Sequence, residues 1–306
     1  MGYLFILLAV GAAEVEHTLQ KTYKKKHGNG APILFTSFVA LFSFLFFLGK
    51  YLITDTSKGD FTPAIIPYAL AGAFCYCVAS VAACIAYQTG PFAITSLIFS
   101  FSIMITSAAG IVFFEEAYSY LTFIGFALVV VSIILVSPIK LNFRRTPAQN
   151  AEKPTEKKKF SKVWLITVIL NVVLSPTYSI ITKLQQKTFD NTVNNEFIIM
   201  AIGISAFVLL GTGIFMAKGE ALSTIKKCAP YAATAGVANG FNNMLGLILN
   251  TLLPLSIISP TRSIVSKLVT YSIAFFAFKE RFSKRQVAGI VIGAVAVLLI
   301  NIATLF

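Results

Sequence analysis

Residues 64–88 read AIIPYALAGAFCYCVASVAACIAYQ, from Ala64 to Gln88, without a single charged side chain. A helix needs roughly 20 mostly apolar residues to cross the hydrocarbon core of a bilayer. This stretch exceeds that length, and a soluble protein has little room to bury it. In lipid no water is at hand to bond a free amide or carbonyl. Each backbone group must be bonded inside its own segment or within a closed barrel. A barrel strand alternates apolar and polar residues over about ten positions. The run at 64–88 is longer and apolar on every side, so it predicts a transmembrane helix.

Runs of the same kind lie on both sides of it, at about 2–23, 32–53, 91–114, 119–138, 163–186, 195–217, 228–250, 254–278 and 285–305, separated by Gly, Pro and charge. The expectation is an all-α membrane protein of ten transmembrane helices. The composition agrees. Of the 306 residues, 57% are hydrophobic and 12% charged, where a soluble domain carries about 25% charged residues. The net charge of +13 would suggest a nucleic-acid partner on a soluble protein. Here the Lys and Arg lie between the apolar runs, where lipid headgroups meet them, so the expected partner is the bilayer and not nucleic acid. The first run lacks a basic leader and is interrupted by Glu14 and Glu16, so it reads as a span and not as a cleaved signal. Cys75 and Cys77 point about 200° apart on a helix and cannot share a metal. With Cys84 and Cys228 they read as packing residues, so neither a metal nor a disulfide is expected.

The longest polar stretch carries Arg144, Arg145 and the run Lys157-Lys158-Lys159. It divides the chain into a first unit at 1–138, a basic linker at 139–162 and a second unit at 163–306. The units echo each other. Phe113-Phe114-Glu115-Glu116 is followed by Gly125, and Phe278-Lys279-Glu280-Arg281 by Gly289, with the same spacing from Glu116 and Glu280 to their glycines. Lys21 and Lys183 likewise close the first span of each unit. Five spans per unit force the two to insert in opposite senses. That is the inverted-repeat plan of secondary transporters, with a site at the midplane. Nineteen Lys and Arg lie in or beside the odd-numbered loops and four beside the even-numbered ones. The positive-inside rule then places the linker in the cytoplasm and both termini outside.

This pattern resembles the EamA-like, ten-span branch of the drug/metabolite transporter superfamily, most specifically over Phe278 to Asn301. The first helix, with Ala13-Glu14-Val15, Thr18 and Lys21, is similar to that of the small multidrug resistance transporters. In those the Glu binds the proton and the cation, and the resemblance assigns that role to Glu14. It also implies cytoplasmic termini, opposite to the charge count. The location expected is a prokaryotic cytoplasmic (plasma) membrane. The partners expected are protons and a small solute, with no cofactor. Two halves make a monomer sufficient, and a dimer is compatible.

Several residues can carry this chemistry. A carboxylate at the centre of a span costs at least about 2.5 kcal/mol if ionised, so Glu14 needs a purpose or a partner. If it holds either a proton or a cation but not both, antiport follows. His17 and Thr18 share its helix face, one turn on. Glu16 points elsewhere, as a second acid or a structural partner. In the ninth run Ser259, Arg262, Ser263, Ser266 and Thr270 form one polar face, with Lys267 beside it. Arg262 and Lys267 can take a carboxylate or phosphate, or neutralise a glutamate. Asn239 and Asn243 share a face of the eighth run, and Asn can both donate and accept. Tyr178, which aligns with Glu16 when Lys183 is set against Lys21, can stack on a cation. Glu116 and Glu280 read as helix-end stabilisers. No phosphate-cradling loop and no pair of His at ligand spacing is present, so neither ATP drive nor an enzyme is expected. The leading expectation is proton-coupled efflux of small cationic or zwitterionic metabolites or drugs. An exchanger of carboxylated or phosphorylated solutes comes second, and a non-transporting sensor or scaffold third.

Overall fold

The computed structural model describes residues 2–28, 31–54, 62–89, 95, 98–99, 102–115, 120–136, 162–217, 220–255, 257–258, 261–266, 269 and 284–303. Every regular element among them is helical: α1 (Gly2–His27), α2 (Pro32–Thr54), a 3-10 turn (Pro63–Ile65) running into α3 (Ile66–Thr89), α4 (Ser102–Phe114), α5 (Tyr120–Val136), α6 (Lys162–Thr188), α7 (Asn194–Met216), α8 (Ala221–Leu252) and α9 (Lys284–Ala303). Five of them, α1, α2, α3, α6 and α7, are long and apolar enough to cross a membrane, and they mark the chain as an integral membrane protein. Leu4, Phe74, Ile166 and Phe207 stand outward on these helices, as lipid allows and water would not.

Nearly every expected run contains a helix. Part of the fourth run, much of the ninth, residues 139–161 of the linker, Glu116, Ser259, Pro260, Lys267, Thr270 and Glu280 lie outside the described residues. Of the ninth run, Pro254, Leu255, Ile257, Ile258, Thr261 to Ser266 and Val269 are described, and all but Pro254 are helical.

Packing is by pairs. α1 lies on α8, α3 on α6, α5 on α9, and α2 is held between α7 and α8; α3 also meets α7. The largest core joins α2, α3 and α7, around Phe47, Ala69, Phe197, Ala201 and Ile202. A second joins α1 to α8 through Ile6, Ala9, Val10, Leu245 and Leu249. Association in lipid gains little from apolar burial and depends on close approach and interhelical hydrogen bonds. Both are visible. A Cβ added at Gly236 of α8 would lie 2.5 Å from Phe42 Cβ and 2.6 Å from the Val39 carbonyl oxygen of α2. Ser132 of α5 donates to the Gly289 carbonyl of α9 at 2.7 Å, and the Trp164 indole of α6 donates to the Thr95 hydroxyl at 2.8 Å.

Candidate functional site

The polar side chains of α1 divide by helix face. Positions 14 and 16 are about 200° apart, and the two carboxylates accordingly meet different neighbours. Glu14 Oε1 accepts a hydrogen bond from the Ser266 hydroxyl at 2.6 Å. Glu16 faces α8, where Asn239 Nδ2 donates to its Oε2 at 2.9 Å. Gln20, one turn along α1, donates to Glu16 Oε1 at 3.2 Å. Among the described residues neither glutamate forms an ion pair.

Asn239 is the centre of this arrangement and is buried. Its Oδ1 accepts from the Tyr76 hydroxyl of α3 at 2.8 Å and from Asn243 Nδ2 at 2.9 Å. Asn243 Nδ2 also donates to the Asn239 backbone carbonyl at 3.0 Å. A carbonyl can only accept, so this bond fixes which end of the Asn243 amide is nitrogen. That in turn makes the facing Asn239 atom an oxygen and turns its nitrogen to Glu16. Three helices thus converge on one amide, with a single consistent sense of donation.

Asn243 also borders a cavity of about 100 Å³, lined by Tyr178 and Thr182 of α6, Asn242 and Asn250 of α8, and Arg262. At about 30 Å³ per water, this is room for about three waters or one small polar group. Arg262 Nη2 donates to Asn242 Oδ1 at 2.6 Å. No ion pair among the described residues includes Arg262. The Tyr178 hydroxyl is buried without a hydrogen-bond partner among them. Pro176, inside α6 and buried, has no N–H to donate, so the helix carries a gap in its ladder just before Tyr178.

The chain has a known fold. A solved structure described only as "Crystal structure of protein" superposes with a TM-score of 0.60 over 98% of this chain and 96% of that chain, at 10% identity. At that identity the likeness is of fold alone. No family profile matches the chain, and no curated protein matches it.

The sequence-derived candidates fall into three groups. Glu14 and Ser266 meet each other. Glu16, Asn239 and Asn243 form the network that runs on to the cavity of Tyr178 and Arg262. His17 and Thr18 stand apart. The His17 ring packs against Tyr87 at 5.5 Å with a buried, unpartnered Nδ1, and Thr18 is exposed. Lys267 is outside the described residues. Tyr76, Gln20 and Asn242 are additions. Gln20 sits at i+4 from Glu16 and Asn242 beside Asn243, spacings visible in the sequence. Tyr76 lies between two cysteines in a long uncharged run, and nothing local marks it.

A second hollow, of about 860 Å³, runs between α1, α2 and α8 past Leu7, Gly11, Val15, Phe42 and Val237. It is apolar and contains none of the network.

Proposed function

We propose that this protein is a secondary active transporter of the EamA-like drug/metabolite type. It exchanges protons for small cationic or zwitterionic metabolites or drugs by alternating access, as an exporter in a prokaryotic plasma membrane. The observation that carries this reading is a membrane helix, α1, with two carboxylates whose hydrogen-bond partners are neutral. An ionised carboxylate at such depth is expensive. A proton or a bound cation relieves the cost, and exclusive occupancy by one or the other couples their movements.

The helix pairing supports ten spans in two inverted five-helix repeats. Exchanging α1 with α6, α2 with α7, α3 with α8 and α5 with α9 turns each main pairing into another that is present. α1–α8 becomes α6–α3, α2–α8 becomes α7–α3, and α2–α3 becomes α7–α8. A pseudo-two-fold relation of the halves predicts this invariance.

A second reading, exchange of carboxylated or phosphorylated solutes, is favoured by one observation. Arg262 borders a polar cavity and is bonded there to a neutral amide, with donors to spare.

Purified protein in liposomes with a trapped pH dye separates the two. Guanidinium, quaternary ammonium and polyamine cations are expected to drive proton movement in the native protein and not in the E14Q/E16Q double variant. No proton signal with any cation, together with counterflow of a carboxylate or phosphate that Arg262→Gln abolishes, would replace the first reading by the second. Absence of flux for every solute would leave a sensor or scaffold.

A further inference from the structure

Between the two carboxylates of α1, the hydrogen-bond geometry distinguishes one. Glu14 meets a hydroxyl, which can donate or accept without moving the carboxyl's surroundings. Glu16 meets two amides, and an amide has distinct ends. Asn239 presents nitrogen to Glu16 Oε2, an orientation fixed through Asn243 by the backbone carbonyl. Glu16 Oε2 therefore remains an acceptor whatever the charge of the group.

At Oε1 the situation differs. Gln20 donates its nitrogen there at 3.2 Å, while its own Oε1 is buried without a partner among the described residues. Gln20 is 8% exposed, so water offers that oxygen little relief. If the Gln20 amide turns over, its oxygen faces Glu16 Oε1 across the same gap. Two acceptors can face each other there only with a proton between them. The turn requires Glu16 to be protonated, and protonation supplies the donor that the orphaned oxygen lacks.

We propose that Glu16 Oε1 is the proton seat of this protein and that Gln20 is its switching partner, turning its amide as the proton arrives and leaves. One proton from the aqueous phase is bound at Oε1, no other bond is made or broken covalently, and the charge of α1 falls by one negative unit. Among the described residues the ionisable groups near Glu16 are His17 and Glu14 on its own helix and Tyr76 and Cys84 of α3, with Lys24 about two turns further along α1 beside Cys84. Lys24 is engaged with the Gln88 carbonyl, Tyr76 with Asn239 and Glu14 with Ser266. α8 contributes Asn239, which does not ionise. The inference rests on the reading of α1 as a carrier of exchangeable protons, and it transfers the central role from Glu14 to Glu16.

Difference infrared spectroscopy of the full chain in lipid, titrated with acid, reads the seat directly through the carbonyl stretch of a protonated carboxyl group. The band is expected in the native protein, retained in Glu14→Gln and lost in Glu16→Gln. In Gln20→Leu, which keeps the carboxyl group, the band is expected to move to higher frequency, because the acid no longer donates to an amide oxygen. Loss of the band in Glu14→Gln with retention in Glu16→Gln would overturn the assignment, and an unshifted band in Gln20→Leu would remove the switching partner. Flux separates this from the transport reading. A titrating Glu16 band in a protein that moves no proton with any solute keeps the seat and ends the transporter. Cation-driven proton movement that survives Glu16→Gln and fails in Glu14→Gln keeps the transporter and ends the seat.

Discussion

Replacing Asn239 by Leu tests the convergence of three helices on one amide. The side chain makes three bonds: to Glu16 at 2.9 Å, from Tyr76 at 2.8 Å and from Asn243 at 2.9 Å. Interhelical hydrogen bonds measured in a membrane protein average about 0.6 kcal/mol, and the two that leave α8, to Glu16 of α1 and from Tyr76 of α3, amount to about 1 kcal/mol. That sum understates the loss if the partners stay dry. The Tyr76 hydroxyl is in a residue only 7% exposed, and a buried polar group left unpaired costs about 1–3 kcal/mol. The expected destabilisation is therefore about 2–4 kcal/mol. Asn243→Leu is the internal control. It removes one contact to the same hub and one to a backbone carbonyl, both within α8, while Asn239 keeps Tyr76 and Glu16, so its cost should be about 1 kcal/mol. Unfolding of both variants and the native protein in mixed micelles, followed by circular dichroism against SDS mole fraction, gives the ordering. An Asn239→Leu variant within 0.5 kcal/mol of the native protein, or less destabilised than Asn243→Leu, would refute the hub.

The same assay should find Gly236→Ala destabilised by about 1–3 kcal/mol through overpacking, since the new Cβ meets backbone and not a yielding side chain; Gly11→Ala, with nothing within 4 Å, should be nearly neutral. Arg262→Gln should weaken binding of any carboxylate-bearing solute by about tenfold or more, the scale of a lost charge-assisted bond, measured by calorimetry in detergent. Trp164 is the single tryptophan and is 4% exposed; its fluorescence in liposomes should resist quenching by aqueous iodide, and ready quenching would contradict its packing from α6 against Ala86 of α3.

The helices were legible in the sequence because the bilayer makes length and apolarity nearly sufficient criteria. Their ends were less so. α1 continues to His27, beyond the expected end near 23, because Lys24 to Lys26 are good helix formers once clear of the hydrocarbon. α8 begins at Ala221, ahead of Lys226 and Lys227, and passes through Pro230. The charges there read as a boundary, whereas the helix carries them where water can reach. The site was legible residue by residue but not as an arrangement. Glu14, Glu16, Asn239 and Asn243 stand out because lipid penalises them. That Glu16 meets Asn239 while Glu14 meets Ser266 depends on how α1 is rotated against α8, and no local pattern states that angle. Tyr76 was hidden for the same reason, since a tyrosine in an apolar run looks like packing until its hydroxyl is seen to have an acceptor.

Four glycines give α2 a mechanical role. Cβ atoms at Gly203 and Gly213 of α7 would come within 3.0 and 2.9 Å of Phe44 and Leu34, and at Gly236 and Gly240 of α8 within 2.5 and 2.8 Å of Phe42 and Phe46. α2 is thereby keyed into its two neighbours along much of its length, and close approach of this kind resists sliding of one helix past another. α1 has no such keying at Gly11, and beside it lies the 860 Å³ hollow. On the proposed transport reading, the conformational change is expected to leave these three helices together and to move α1 across their edge. If the protein transports as proposed, a covalent tether between α2 and α8 should leave flux unchanged, while one between α1 and α8 should stop it.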